Sequence, residues 1–257
     1  MAMTTRSGTP FWETFYDAFF NDPIYQAFYG HSGFANFGYW QPGTADAATA
    51  SRALVHLVAR QIDSPGGSLL DVGCGVGATT NELGQWFDPV VGINLDEAQV
   101  AEARKRHPDA RFETMSATQL GFADRSFDHV IAVEAAFHFN TRVQFFAEVL
   151  RVLKPGGQLV MSDLLMARGA PLSPATNHVS GIDAYRAQLT GAGFCDVAVS
   201  DITGPTWHAY RRKFTQFASQ RPERWLSLGG LRDLYTLNVN SAWAIRKCVL
   251  VSARKPG

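Results

Sequence analysis

The sequence predicts an α/β fold: a mainly parallel β-sheet covered on both faces by helices. Three observations carry that expectation. From residue 65 onward, short apolar runs alternate with helical segments, the pattern of successive βαβ units. A glycine-rich turn, GCGVG at 73–77, joins the first of these runs to the next helix. The chain has 257 residues, of which 46% are hydrophobic, enough for the core of one large domain.

Each element has its own signal. Residues 10–40 are unusually aromatic, with Phe11, Phe15, Ala18 and Phe19 at helical spacing. Asp22-Pro23 punctuates that stretch, and Gly30, Gly33 and Gly38 break up its second half. These rings either pack onto the domain or cap a pocket for an apolar ligand. A cap also packs, so the two readings overlap. Residues 44–60 form a helix with Leu54, Leu57 and Val58 on one face. Pro65-Gly66-Gly67 leads into the strand SLLDV at 68–72, then the glycine turn and a helical stretch at 78–87. VVGI at 90–93 is a second strand, 96–107 a helix with a charged outer face, ARFET at 110–114 a third strand and FDHVIAV at 127–133 a fourth. The helix at 142–153 turns Phe145, Phe146, Val149, Leu150 and Leu153 inward, and Thr141 with Gln144 can form its capping box. KPGG stops it, and QLVMSD at 158–163 is the fifth strand. Residues 181–194 contain another helix, 196–202 a sixth strand, and RKCVLVSARKP at 246–256 the last.

Composition excludes several function classes. Lys+Arg and Asp+Glu both number 23, so the net charge is zero, and a nucleic-acid partner, which needs a basic excess, is not expected. The Arg211-Arg212-Lys213 cluster reads as a solvated helix face. Cys74, Cys195 and Cys248 are widely spaced with no CxxC and no Cys/His cluster, so neither a disulfide framework nor a metal site is expected. No stretch reaches the roughly 18 apolar residues of a membrane span, and the first residues hold no long apolar leader. The default expectation is a soluble, cytoplasmic protein with no membrane partner.

The segment LLDVGCGVGATT at 69–80 is strand, glycine turn, helix. Glycines let the backbone turn sharply and approach a ligand, and the N–H groups opening the helix can meet a negative group. Gly73, Gly75 and Gly77 give GxGxG, but Gly73, Gly75 and Ala78 also fit the GxGxxA pattern of dinucleotide sites. Asp71 discriminates: a carboxylate there disfavours a pyrophosphate and suits a cationic group, such as the amino group of a methionine moiety.

LLDVGCGVG resembles motif I of the class I S-adenosylmethionine-dependent methyltransferases. The resemblance continues through VVGINLDEAQ, SATQLGFADRSFDHVIAVEA and RVLKPGGQLVMSD, in the family's order, over roughly residues 65–200. It implies a Rossmann-like sheet of seven strands whose last, antiparallel strand inserts beside its neighbour. S-adenosylmethionine would lie at the carboxyl ends of the first strands and leave as S-adenosylhomocysteine, with no metal. The chain divides accordingly into an N-terminal helical cap (1–60), a cofactor-binding core (65–202), a substrate-facing insertion (203–240) and the final strand (241–257), in one domain. By the resemblance, Asp71, Gly73, Cys74, Gly75, Gly77, Asn94, Leu95, Ser116, Ala117, Thr118 and Glu134 bind the cofactor. Asn94 stands where the family usually has an acid for the ribose hydroxyls. Ser116 stands where an Asp often receives the adenine amino group. FGYW at 37–40 resembles the segment folded over the methionine end, which places Tyr39 and Trp40 at the pocket or in ordinary packing.

EAAFHFN at 134–140 comes directly after the fourth strand, at the sheet edge where the cofactor is expected. The sequence resembles small-molecule and sugar O-methyltransferases of natural-product pathways, which use a His here and an Asp after the next strand. His138 is thus a candidate general base, with Asp163 to fix its tautomer and Phe137 beside the substrate. A histidine that only lines the pocket is the other reading. His208, in GPTWHAY, is a competing base. The expected reaction is O-methylation of an apolar small molecule of secondary metabolism. C- or N-methylation, a nicotinamide oxidoreductase and a cofactor-binding scaffold remain as alternatives, and a homodimer is left open.

Overall fold

A computed structural model of the chain describes residues 23–170, 173–220 and 241–257. The strands are β1 (Leu69–Val72), β2 (Val90–Asn94), β3 (Arg111–Thr114), β4 (Phe127–Val133), β5 (Leu153–Met166), β6 (Cys195–Asp201) and β7 (Ile245–Arg254). They form one sheet in the order β3-β2-β1-β4-β5-β7-β6. The pairs from β3 through β5 are parallel, whereas β7 runs antiparallel between β5 and β6. This is the expected sheet, including the inserted last strand.

The helices are α1 (Pro23–Phe28), α2 (Ala47–Ala59), α3 (Ala78–Leu83), α4 (Glu97–Arg106), α5 (Arg142–Val152), α6 (Ile182–Ala192), α7 (Ala209–Ser219) and α8 (Ser241–Ala244). They cover both sheet faces because successive strand residues point to opposite sides. On one face Leu69, Ile131, Val160 and Leu164 pack with Leu54, Val55 and Val58 of α2 and with Tyr210 and Phe214 of α7. On the other, Leu70, Val72, Val130 and Met161 pack with Phe145, Phe146 and Val149 of α5 and Tyr185 and Leu189 of α6. Helix starts are fixed locally. The side chain of Asp96 accepts from the N–H groups of Ala98 and Gln99, and Thr141 and Gln144 form both halves of the expected capping box.

Three elements depart from the sequence reading. The helix expected over 78–87 ends at Leu83, capped by Gly84. β5 begins at Leu153 rather than 158, since Gly156 N–H donates to the Lys255 carbonyl and Lys255 N–H to the Gly157 carbonyl, which draws KPGG into the sheet. The start of 203–240, for which the sequence reading gave no regular element, holds a π-helical turn (Gly204–His208) running into α7. Tyr210, Phe214 and Phe217 recur at helical spacing there, and Phe28 of α1 meets all three rings. The helix expected around Phe11, Phe15, Ala18 and Phe19, and residues 221–240, lie outside the described residues. No described helix is long and apolar enough to cross a membrane.

Candidate active site

The carboxyl ends of β1, β2 and β4, with the loops leaving them, enclose a cavity of about 260 Å3. Residues 33–36 close its other side. Its position makes it the candidate binding site, because loops after parallel strands diverge where helices depart to opposite faces.

The glycine turn forms the floor. Gly73 adopts φ +84°, and a Cβ there would stand 2.5 Å from Ala135 Cβ, so a side chain is excluded on two counts. Gly73, Cys74 and Gly75 line the cavity, whereas Gly77 caps α3 from outside it. Asp71 does not reach the cavity. It is 1% exposed and accepts a 2.6 Å hydrogen bond from the Thr80 hydroxyl, tying the strand to α3 beneath the turn. Gly92 of β2 makes room for this pair, since a Cβ there would lie 2.5 Å from Thr80 Oγ1. Burial pushes the Asp71 carboxyl up to about 7, with the Thr80 hydroxyl opposing. Asp71 therefore supports the turn rather than touching a ligand.

At the end of β2, Asn94 and the 54% exposed Leu95 line the cavity. Asn94 is preset: its amide donates to Gln99 Oε1 (2.9 Å), and its oxygen accepts from the Leu95 N–H (2.8 Å). Gln99 also lines the cavity, a residue the sequence reading missed. Ser116, Ala117 and Thr118 form the next stretch of wall, and the Ser116 and Thr118 hydroxyls meet at 3.1 Å.

Glu134 lies at the end of β4 with φ +49°, a left-handed conformation rare outside glycine. Its Oε2 accepts from the Phe37 N–H (2.9 Å), which ties the N-terminal segment to the sheet edge. Its buried Oε1 has no hydrogen-bond partner among the described residues. Burial pushes this carboxyl up to about 8; the Phe37 N–H lowers it and nearby Asp163 raises it. His138, Phe139 and Asn140 complete the wall.

The structure does not bring every expected residue to the cavity. Asp163 is fully buried on the α5/α6 side. Its Oδ2 accepts from the Tyr185 hydroxyl (2.6 Å) and lies 2.9 Å from Arg142 Nε, an ion pair rather than an aligned hydrogen bond, because that N–H has no acceptor in line. Asp163 is thus engaged by Arg142 and Tyr185. Phe137 is buried in the core, with its ring 3.7 Å from that of His138. Tyr39 and Trp40 pack rather than line: the Tyr39 and Trp40 N–H groups donate to Ala50 and Pro205 carbonyls, and the Trp40 indole donates to the Phe37 carbonyl. The wall is made by residues 33–36 just upstream. His208 ends the π-helical turn, exposed and away from the cavity.

Chemically the site pairs a hydroxyl- and amide-bearing end at Asn94, Gln99, Ser116 and Thr118 with a buried carboxyl at Glu134 and an imidazole bordered by Phe139 and Ala135. Comparison with known proteins gives this arrangement its context. Residues 70–161 match the family model of a methyltransferase domain. The chain is 32% identical over 197 residues to the erythromycin 3''-O-methyltransferase of Saccharopolyspora erythraea, covering 66% of this chain and 64% of that protein, a little under two thirds of its length. It is 32% identical over 241 residues to the 2-methyl-6-phytyl-1,4-hydroquinone methyltransferase of Synechocystis sp., covering 83% of this chain and 75% of that one. The fold is shared with the geranyl diphosphate C-methyltransferase of Streptomyces coelicolor A3(2), crystallised with Mg2+, geranyl diphosphate and S-adenosyl-L-homocysteine: TM-score 0.65, 15% identity, 91% of this chain and 98% of that one.

Proposed function

The chain belongs to the class I S-adenosylmethionine-dependent methyltransferases, and on that premise we propose that it methylates a hydroxyl of an apolar small molecule, with His138 as the general base. One observation carries the choice: His138 is the one imidazole among the described lining residues, and it borders the apolar part of the wall, next to Phe139 and Ala135.

When bound, S-adenosylmethionine supplies a methyl group already activated by a positively charged sulfur. The residues present fit it. Glu134 would offer the ligand's ammonium a buried oxygen that has no partner among the described residues, and the turn at Gly73–Gly75 would allow close backbone approach to its amino-acid end. Asn94 would hold the ribose hydroxyls through a neutral amide, and Leu95, Ser116, Ala117 and Thr118 would hold the adenine.

The remaining work falls to His138 and the apolar wall. An acceptor hydroxyl held against Phe139 is shielded from water. Its proton passes to a ring nitrogen of His138 as the oxygen becomes the nucleophile. A positioned base contributes roughly 10²–10⁴-fold, so His138→Ala should slow turnover of an unactivated alcohol by about that factor. An acidic phenol, which ionises unaided, should be affected least, and S-adenosylhomocysteine affinity should not change. Near-normal turnover of the alcohol by His138→Ala would reduce His138 to a pocket wall.

A second reading is transfer to an electron-rich ring carbon. It draws on the similarity to a hydroquinone methyltransferase, because a hydroquinone offers both oxygen and carbon to an electrophile. Mass and NMR analysis of the product decides between a new O–CH3 and a new C–CH3 group.

A further inference from the structure

The segment that carries His138 is held from behind by a buried side chain that takes no part in lining the cavity. Asn177 closes a short 3-10 turn (Ala175–Asn177) and is 2% exposed. Its amide nitrogen donates to the carbonyls of Phe137 (3.2 Å) and Phe139 (2.7 Å), the residues on either side of His138. Its side-chain oxygen accepts from the N–H of Arg142 (2.8 Å), the first residue of α5. Arg142 is 1% exposed and spends its guanidinium on the same frame. Nη1 donates to the Asn177 carbonyl (2.6 Å), Nη2 donates to the Leu164 carbonyl (3.1 Å), and Nε faces Asp163. The guanidinium lies 5.0 Å from the Tyr185 ring centroid.

We infer that Asn177 is a positioning residue for His138, with Asp163 supporting it from behind through Arg142. A primary amide has two N–H donors and an acceptor; here both donors go to the carbonyls flanking His138, and the acceptor takes the N–H that opens α5. Without it the Phe137 and Phe139 carbonyls lose their buried side-chain donor, while the backbone bonds of His138 N–H to the Ala135 carbonyl and of Phe139 N–H to the Ala136 carbonyl stay in place. The frame is anchored beyond Asn177 as well, since His178 Nδ1 lies 3.2 Å from the Met166 carbonyl at the end of β5. The inference rests on reading His138 as the base, but the clamp itself is a separate physical claim.

Asn177→Asp tests it in the full chain, since it keeps the acceptor for Arg142 and removes both donors to the turn. Turnover of an unactivated alcohol should fall by up to about 10²-fold, the cost of a reacting group displaced by about 1 Å. Affinity for S-adenosylhomocysteine should stay unchanged, acidic phenols should react almost normally, and in a His138→Ala background the same change should cost nothing further. With isotope-labelled histidine, the NMR resonance of the His138 ring, assigned by its loss in His138→Gln, should shift or broaden. Should Asn177→Asp fold poorly, Asn177→Ser, which keeps one donor, should give the same pattern at smaller size. Wild-type turnover with an unmoved resonance overturns the inference, as does an equal loss in the His138→Ala background. A moved resonance in a protein whose His138→Ala form still turns over keeps the clamp and removes only the base.

Discussion

Glu134 and Asp71 place two acids where their neutral forms are favoured, and this makes a signed prediction about pH. Burial raises Glu134 to about 8 and Asp71 to about 7. In the unfolded chain both ionise near about pH 4. Between those limits the native protein holds more protons than the unfolded chain, so its stability falls as pH rises. The contribution is complete below the unfolded value and lost as pH passes the folded one. The melting temperature of the ligand-free protein should therefore decline between about pH 5 and pH 8. Glu134→Gln, fixed in the neutral form, should flatten that decline; an unchanged slope would mean that Glu134 is already ionised in the native state. If the ligand's ammonium sits at Glu134, S-adenosylhomocysteine binding near neutral pH should release a proton, visible as a binding heat that depends on the buffer. Asp163 calls for another measurement. Asp163→Asn leaves Arg142 buried without its counter-ion, which costs about 3–5 kcal/mol in comparable buried pairs. Denaturant unfolding should show that loss before any kinetic effect is interpreted.

At the scale of elements, what could be read from the sequence was what is encoded locally. Strands and helices arise from apolar periodicity, the start of α5 from Thr141 and Gln144, and the cavity floor from GCGVG. What could not be read depends on contacts distant in sequence. Asp163 stands out in the sequence as the acid closing QLVMSD, yet β5 runs on to Met166 by pairing with β7, and the partners of Asp163 do not stand out: Arg142 looks like an ordinary first-turn cation, and Tyr185 like one more aromatic on α6. Asn177 sits in an irregular stretch with no periodicity to mark it. The extension of β5 through KPGG depends on Lys255, about a hundred residues away. The aromatic stretch before residue 40 left packing and a cap both open, and did not show that Gly33–Asn36 rather than Tyr39 and Trp40 would form the wall. That segment is tied to the sheet edge at Phe37 N–H, and to its own upstream part by the Tyr29 hydroxyl, which donates to the Asn36 carbonyl. A wall fastened at its end and bare toward the ligand should tighten when the cavity fills. Amide exchange over residues 33–37 should slow with S-adenosylhomocysteine present, and equal exchange with and without it would leave the segment as static packing.

For the whole molecule the governing question is which nucleotide the sheet edge accepts, because a glycine turn after a first strand serves dinucleotides as readily as it serves S-adenosylmethionine. Three features act together. Asp71 and Glu134 add acidic groups at and beneath the floor of the cavity, where a pyrophosphate would carry two negative charges. Asn94 offers the ribose an uncharged amide already engaged by Gln99 and Leu95. The chain as a whole is electrically neutral, so no general positive field offsets those acids. The ammonium of S-adenosylhomocysteine would pair with Glu134 once that carboxyl gives up its proton, whereas the pyrophosphate of NAD would find no positive partner there. A ligand that binds only the native state at a hundred times its Kd adds about 2.7 kcal/mol of stability. For a domain of this size that is a rise in Tm of roughly 5–10 °C. S-adenosylhomocysteine should produce such a shift and NAD none at the same concentration. Asp71→Ala should shrink the shift by loosening the turn that Thr80 and Asp71 hold, even though Asp71 never touches the ligand. A protein that NAD stabilises and S-adenosylhomocysteine does not would overturn the reading of the acids at this sheet edge.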